Sequence, residues 1–201
     1  IAEAIALAKE VNDMHGLAAI LCYAALLGYC KRNPADVERF SSDLIELSTR
    51  QNFAHWLVVG SLYRGWARSA FGNTKEGISW LEDGIRDYRA IGVIVGLPII
   101  LGMKAEALHL ADRTSEALEA LKEAEALVER YEERRLFPEL LRLRGVFLTA
   151  MGADETQIEA SFGEAIRIAK EQDSISLATR AEATYAEYRR QKASGLGGRG
   201  F

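Results

Sequence analysis

"GWARSAFGNTKEG", residues 65–77, decides how the rest of the chain is read. Three glycines beside Asn73, Thr74 and Lys75 give it the outward look of a phosphate-cradling loop. Such a loop needs the order G-x-x-x-x-G-K-[ST] between a strand and a helix, so that backbone N–H groups converge on the phosphates. Here Lys75 follows Thr74, the four-residue spacer is missing, and the residues before Gly72 are periodic in the manner of a helix. The stretch is therefore a joint between two helices. Gly72 is placed to end the first and Asn73 to begin the second. The terminal "GLGGRG" has no strand before it and no helix after it, and reads as a flexible tail over 194–201.

The joint recurs. Ala25, Gly65, Ala105 and Gly145 are spaced by forty residues, and all are tiny. Ala4, Leu44, Gly84, Ala124 and Ala165 form a second column, Val37, Gly77, Ala117 and Ile158 a third, and Asn33, Asn73, Arg113 and Asp154 a fourth. Four columns in one register define a repeat. Within each unit apolar residues return at intervals of three and four, as in Ala117, Leu118, Leu121, Ala124, Leu127 and Val128. The spacing predicts four helix pairs over about 15–51, 54–91, 95–131 and 136–172. A half unit over 1–11 precedes them, and a last helix over 174–192 closes a single domain of 1–193. Asn33 before Pro34, Asn73 with Glu76, and Asp154 with Gln157 read as helix starts, the last two as capping boxes.

Bulk properties bound the function. The 201 residues are 49% hydrophobic and 27% charged, with a net charge of −4, an ordinary balance for a folded chain. Lysines and arginines alternate with acids rather than clustering, which predicts that nucleic acid is not a partner. No apolar run reaches the length of a membrane span. Cys22 and Cys30 lie on one helix, about 12 Å apart at 1.5 Å per residue. That is too far for a disulfide, and two free thiols suit a cytoplasmic setting. The chain opens at Ile1 in mid-pattern, as a fragment of something longer would.

Tandem helix pairs make a solenoid. The columns resemble the tetratricopeptide scheme, in which a small residue of helix A precedes a small residue of helix B by twelve positions. Gly65 to Gly77 and Ala105 to Ala117 keep that interval, followed by Leu81 and Gly84, Leu121 and Ala124, or Phe162 and Ala165. The resemblance implies a right-handed superhelix of antiparallel pairs. "LYRGWARSAFGNTKEGISWLEDGI", "GMKAEALHLADRTSEALEALKEAEALVER" and "PELLRLRGVFL" further resemble the C-terminal repeats of bacterial proteins that join a class III adenylate/guanylate cyclase domain to an AAA-type ATPase domain. Catalytic and nucleotide-binding parts of that family lie in other domains, so no active-site residues carry over. Ser41 departs from the pattern, which has a large apolar residue there.

In tetratricopeptide arrays helix A lines a concave groove. Transfer of that register picks out Cys22, Leu26 and Tyr29, then Val59, Leu62, Trp66 and Ser69, then Ile99, Glu106 and His109, and last Glu139, Arg142 and Thr149. Trp66 is the expected anchor, on the reading that it is exposed. Arg64, Lys104 and Arg144 form a basic column beside the groove, suited either to acidic groups of a partner or to contacts between helices. His15 and His55 are forty apart and His109 occupies another position, so no metal-ligand spacing arises and no metal or cofactor is expected. The sequence thus predicts a non-enzymatic interaction or regulatory module that binds a peptide, a protein or a neighbouring domain. A metabolite sensor and a homodimerisation module with Ile1, Ile5 and Leu7 exposed are the alternatives.

Overall fold

A computed structural model of the chain describes residues 1–194. The flexible tail expected over 194–201 lies, apart from Ser194, outside the described residues. The described residues are all helical, with no strand. Two compact units divide at residues 94 and 95. The first holds α1 (Ala2–Glu10), α2 (Met14–Cys30), α3 (Pro34–Gln51), α4 (Ala54–Ala70) and α5 (Thr74–Ala90). The second holds α6 (Leu97–Leu110), α7 (Thr114–Tyr131), α8 (Phe137–Ala150), α9 (Glu155–Glu171) and α10 (Ile175–Ala193). None of these helices is long and apolar enough to cross a membrane.

Each unit is a tetratricopeptide-like stack of antiparallel pairs. In the first, α2 packs on α3 and α4 on α5, α3 joins the pairs, and α4 also touches α2. In the second, α6 pairs with α7 and α8 with α9, α10 covers α9 and α8, and α6 touches α8. The seam between a helix A and its helix B is set by small residues. An added Cβ on Gly77 would lie 2.4 Å from the Gly65 carbonyl oxygen and 2.8 Å from the Ser69 nitrogen. Neither is a flexible group, so only glycine lets α4 and α5 approach this closely. Ala25, Ala105, Ala117, Ala124 and Ala165 are likewise fully buried. At Gly145 the space that a side chain would take is filled by the Phe162 ring. Ser41 is also fully buried, its hydroxyl donating to the Glu38 carbonyl at 3.1 Å.

The turns follow their own period. Asn12, Arg32, Asn52, Gly72, Gly92, Asp112, Glu132, Gly152 and Asp173 all have positive φ. They fall every twenty residues, with one extra before the last, and each closes a helix with a left-handed residue. Gly72, at φ 92°, is the residue that turns α4 into α5. The helix starts are less uniform. Asn33 accepts from the Asp36 amide at 3.2 Å and Asp154 from the Thr156 amide at 2.8 Å. Asn73 makes no side-chain cap, so the capping box expected there with Glu76 does not form. At α6 the job passes to a distant residue: Glu133 receives the Gly96 amide at 2.9 and 3.0 Å.

Gly77→Ala is expected to cost about 1–3 kcal/mol as an overpacking change. Gly163→Ala, inside α9 with nothing within 4 Å, should instead stabilise by about 0.5–1 kcal/mol through helix propensity. Urea unfolding followed by circular dichroism would read both; equal shifts of one sign would contradict the seam.

Candidate functional site

The helix-A residues selected by register are packed rather than open. Trp66 and Tyr29 are 2% and 1% exposed and meet edge to face, ring centroids 4.9 Å apart. The Arg32 guanidinium lies 5.3 Å from the Trp66 ring centre. Leu62 is buried where Gly84 opposes it. Ser69 and Thr149 are buried and donate to the carbonyls four residues back, Gly65 at 3.1 Å and Gly145 at 2.8 Å. Glu106 and Arg142 are buried as well. His109 alone of the eight stays half-buried, with Nδ1 3.0 Å from the Thr114 hydroxyl and its ring 4.7 Å from Phe147. The expectation of an exposed Trp66 anchor is therefore corrected. Within the first unit helices A of successive repeats, α2 and α4, touch, and at Trp66 that contact is the edge-to-face packing on Tyr29. Val59, Ile99 and Glu139 are buried too, whereas Cys22 and Leu26 are half-buried. Burial pushes the Cys22 thiol up to about 11, which keeps it protonated and unreactive near neutral pH.

Arg142 belongs to a buried ion network. Its guanidinium donates to Glu139 at 2.8 and 3.1 Å, and Thr184 lies 3.5 Å away. Arg180 brings a second guanidinium to within 3.2 Å of the same Glu139 oxygen, near in distance but not aligned as a hydrogen bond. The network ties α8 to α10. Removing one partner strands buried charge, so Glu139→Ala should cost about 3–5 kcal/mol. Arg39→Ala, which breaks an exposed pair with Asp36, should cost under about 1 kcal/mol in the same thermal or urea measurement.

The basic column is also engaged within the fold. Arg64 donates to Glu38 at 3.1 Å and its guanidinium lies 5.1 Å from the Trp80 ring centre. Arg144 reaches Glu125 at 2.8 Å and the Ser161 hydroxyl at 3.1 Å. Burial raises the Glu125 carboxyl above its usual range despite the Arg144 charge. Of the two uses open to this column, contacts between helices hold for Arg64 and Arg144.

The histidines border aromatic rings. Trp56 Nε1 donates to His15 Nδ1 at 3.3 Å, and the His15 ring centre is 4.3 Å from that of Phe53. His55 lies 5.0 Å from Trp56 and 5.8 Å from Tyr88, measured between ring centres. Burial holds the His55 pKa below its ordinary value. The unfolded chain therefore binds more protons between the two values, and stability falls as pH drops through about 6.5. His55→Gln should flatten the dependence of melting temperature on pH between about 7.5 and 5.5; an unchanged slope would mean another group sets it. Among the described residues no group of three or more His, Cys, Asp or Glu side chains could hold a metal ion.

Two clefts lie open in the first unit. One, of about 280 Å³, is floored by Leu57, Val58 and Ser61 of α4 and walled by Trp80, Asp83, Gly84 and Asp87 of α5. The other, of about 210 Å³, is floored by Leu17 and Leu21 of α2, with Ile5 and Lys9 of α1 on one side. Asp43, Glu46, Leu47 and Arg50 of α3 form its other wall. The two are the same place one repeat apart. Leu17 corresponds to Leu57, Leu21 to Ser61, Asp43 to Asp83 and Leu47 to Asp87, each forty residues on. In the last pair of the second unit the equivalent residues are Phe137, Leu141, Glu164 and Ile168, and there Phe137 and Ile168 pack against the cluster of Leu141, Ala165 and Ala181. The groove register of the sequence analysis missed these clefts. For the α4–α5 cleft the signal lay in Ser61 and Asp87, polar where the other repeats have Leu21, Leu101 and Leu141, or Leu47, Leu127 and Ile168; the α1–α3 cleft keeps Leu21 and Leu47 and carries no such break.

No family model matches the sequence. A curated relative, an uncharacterized protein of Rhizobium meliloti (strain 1021), is 24% identical over 183 residues, or 91% of this chain. The match covers only 18% of that protein's length. Among solved structures the fold is similar to that of Bacillus thuringiensis PlcR in complex with the peptide PapR7 and DNA, with a TM-score of 0.72 and 18% identity. The similarity covers 88% of this chain and 64% of the PlcR chain. The PlcR complex corrects the exclusion of nucleic acid. A protein containing this fold is held together with DNA, so an evenly mixed charge summed over the repeats does not decide that question.

Proposed function

We propose that this chain is a non-catalytic interaction and regulatory module that binds an extended peptide, or a segment of a neighbouring domain, along the clefts of its first unit. The observation that carries this reading is the repetition of one cleft at a spacing of forty residues. Volumes of about 280 and 210 Å³ fall below the roughly 300–1,000 Å³ of small-molecule sites and suit single side chains. Two side-chain pockets in series fit a linear ligand better than a metabolite, which weighs against the sensor alternative. The presence of a peptide in the PlcR complex supports the same class of ligand for the fold. The parent protein, on the sequence resemblance, is a cytoplasmic bacterial signalling protein with cyclase or ATPase output that the array regulates. Binding would act by favouring one docking arrangement of the attached domains over another.

The test is selection of phage-displayed random dodecapeptides on the immobilised chain, followed by affinity measurement on the variant Ser61→Leu/Asp87→Leu, which puts larger apolar side chains into the α4–α5 cleft and removes one of its acids. This pair restores the residue type that other repeats carry, so the fold should persist. At least a tenfold loss of affinity is expected. Failure to select any peptide, or binders indifferent to the variant, would overturn the reading.

A second reading rests on α2, which carries no Lys, Arg, Asp or Glu yet leaves Tyr23 and Leu27 on its surface, 59% and 44% exposed. Ile1, just before α1, and Leu7 within it are exposed too. This apolar surface would serve homodimerisation. Light scattering that shows only monomer up to high concentration would dismiss it.

A further inference from the structure

We infer that the segment bound along these clefts carries a lysine or arginine seated in the α4–α5 cleft, and an uncharged apolar residue seated in the α1–α3 cleft. This inference rests on the peptide reading above and specifies its chemistry. The α4–α5 cleft is built for an amphipathic side chain. Leu57 and Val58 offer an apolar floor to the methylene stem, and Asp83 and Asp87 stand one helical turn apart on the wall above it. No basic side chain lines this cleft. Trp80 closes one end, held from behind by Arg64, which Glu38 in turn fixes. Arg86 shows that the two carboxylates accept a guanidinium, since it lies 2.7 Å from Asp83 and 3.4 Å from Asp87. These pairs are exposed, with all three side chains more than half accessible, so displacing or sharing them costs little. Each carboxylate also keeps further acceptor positions for a second cation.

The α1–α3 cleft differs in charge. Asp43 and Glu46 are balanced by Lys9 and Arg50, and the Arg50 guanidinium is 3.6 Å from Glu46. Its floor and sides, Ile5, Leu17, Leu21 and Leu47, are aliphatic. A neutral apolar side chain fits such a site without stranding a charge. Packed helices lie about 8–10 Å apart, so equivalent points one repeat along are on the order of 10–15 Å apart. At roughly 3.3 Å per residue, an extended segment spans that distance with its anchors about three to five positions apart.

The experiment compares dodecapeptide phage libraries with one central position fixed as Lys or Arg, as Leu, or as Glu. Binding to the native chain is measured against Asp83→Asn/Asp87→Asn, which keeps the cleft's shape and removes its charge. Circular dichroism confirms that the variant folds. Expected are enrichment of the basic library, an apolar residue about three to five positions from the fixed one, and at least a tenfold loss on the Asn variant. Affinity should also weaken with added salt. Peptides that are blocked by Ser61→Leu/Asp87→Leu but lack a basic preference, or bind the Asn variant equally, would overturn this inference and leave the peptide reading standing. Absence of any selected peptide would overturn both.

Discussion

The approach of one helix backbone to the next, with the Gly65 carbonyl 2.4 Å from where a Gly77 Cβ would stand, is the constraint on which the rest of the fold depends. It demands a side chain no larger than hydrogen at that point of α5. It also fits the column through Ala25, Gly65, Ala105 and Gly145, which holds only glycine and alanine, whereas the Gly77 column admits Val37 and Ile158 in other repeats. Glycine inside a helix costs about 1 kcal/mol relative to alanine, and the close seam is what offsets that cost. Once A and B helices meet this closely, flanking residues such as Leu81 and Leu121 are forced into full burial. The left-handed residue every twenty positions then returns the chain at a fixed length, so each pair delivers the same faces to the next.

This regularity made the architecture legible in the sequence, because a repeat states each packing requirement several times. Gly72 as a turn and Asn33 as a cap could be read locally, since both depend on neighbours within a few residues. The Asn73 cap could not. Whether a side chain accepts from the helix amides depends on a rotamer choice that the pattern S/T/N-x-x-E leaves open. The cap that Glu133 provides to Gly96 was also hidden, because 37 residues separate donor and acceptor.

The site was legible only in part, and for a physical reason. A register transferred from a repeat scheme says which way a side chain points, but not whether the next helix A covers it. Trp66 points where an anchor would, yet Tyr29 packs edge-on against it and Arg32 lies across from the ring. Arg142 points the same way and is held by Glu139 and Thr184. Exposure depends on how closely successive repeats nest, and side-chain volumes in two different repeats set that jointly. The breaks in the repeat were more informative than its continuity. Ser61 and Asp87 abandon the apolar residue of their columns, and both line the α4–α5 cleft.

That contrast bears on how a repeat array acquires a binding site without loss of stability. An aliphatic side chain removed from a buried core leaves a void that costs several kcal/mol. At the rim of the α4–α5 seam the cleft leaves Leu57 and Val58 only partly exposed. The seam beneath, Gly65 on Gly77 and Leu62 opposite Gly84, is untouched. Specificity can then be written into the rim alone. The acid shared by Asp43, Asp83, Glu123 and Glu164 is constant along the repeats, and it pairs within its own helix in both units, Asp83 with Arg86 and Glu164 with Arg167. What sets the α4–α5 cleft apart is its polar lining, Ser61 where Leu21 and Leu141 stand in other repeats and Asp87 where Leu47 and Ile168 stand, so this copy alone follows the constant acid with a second one four residues on.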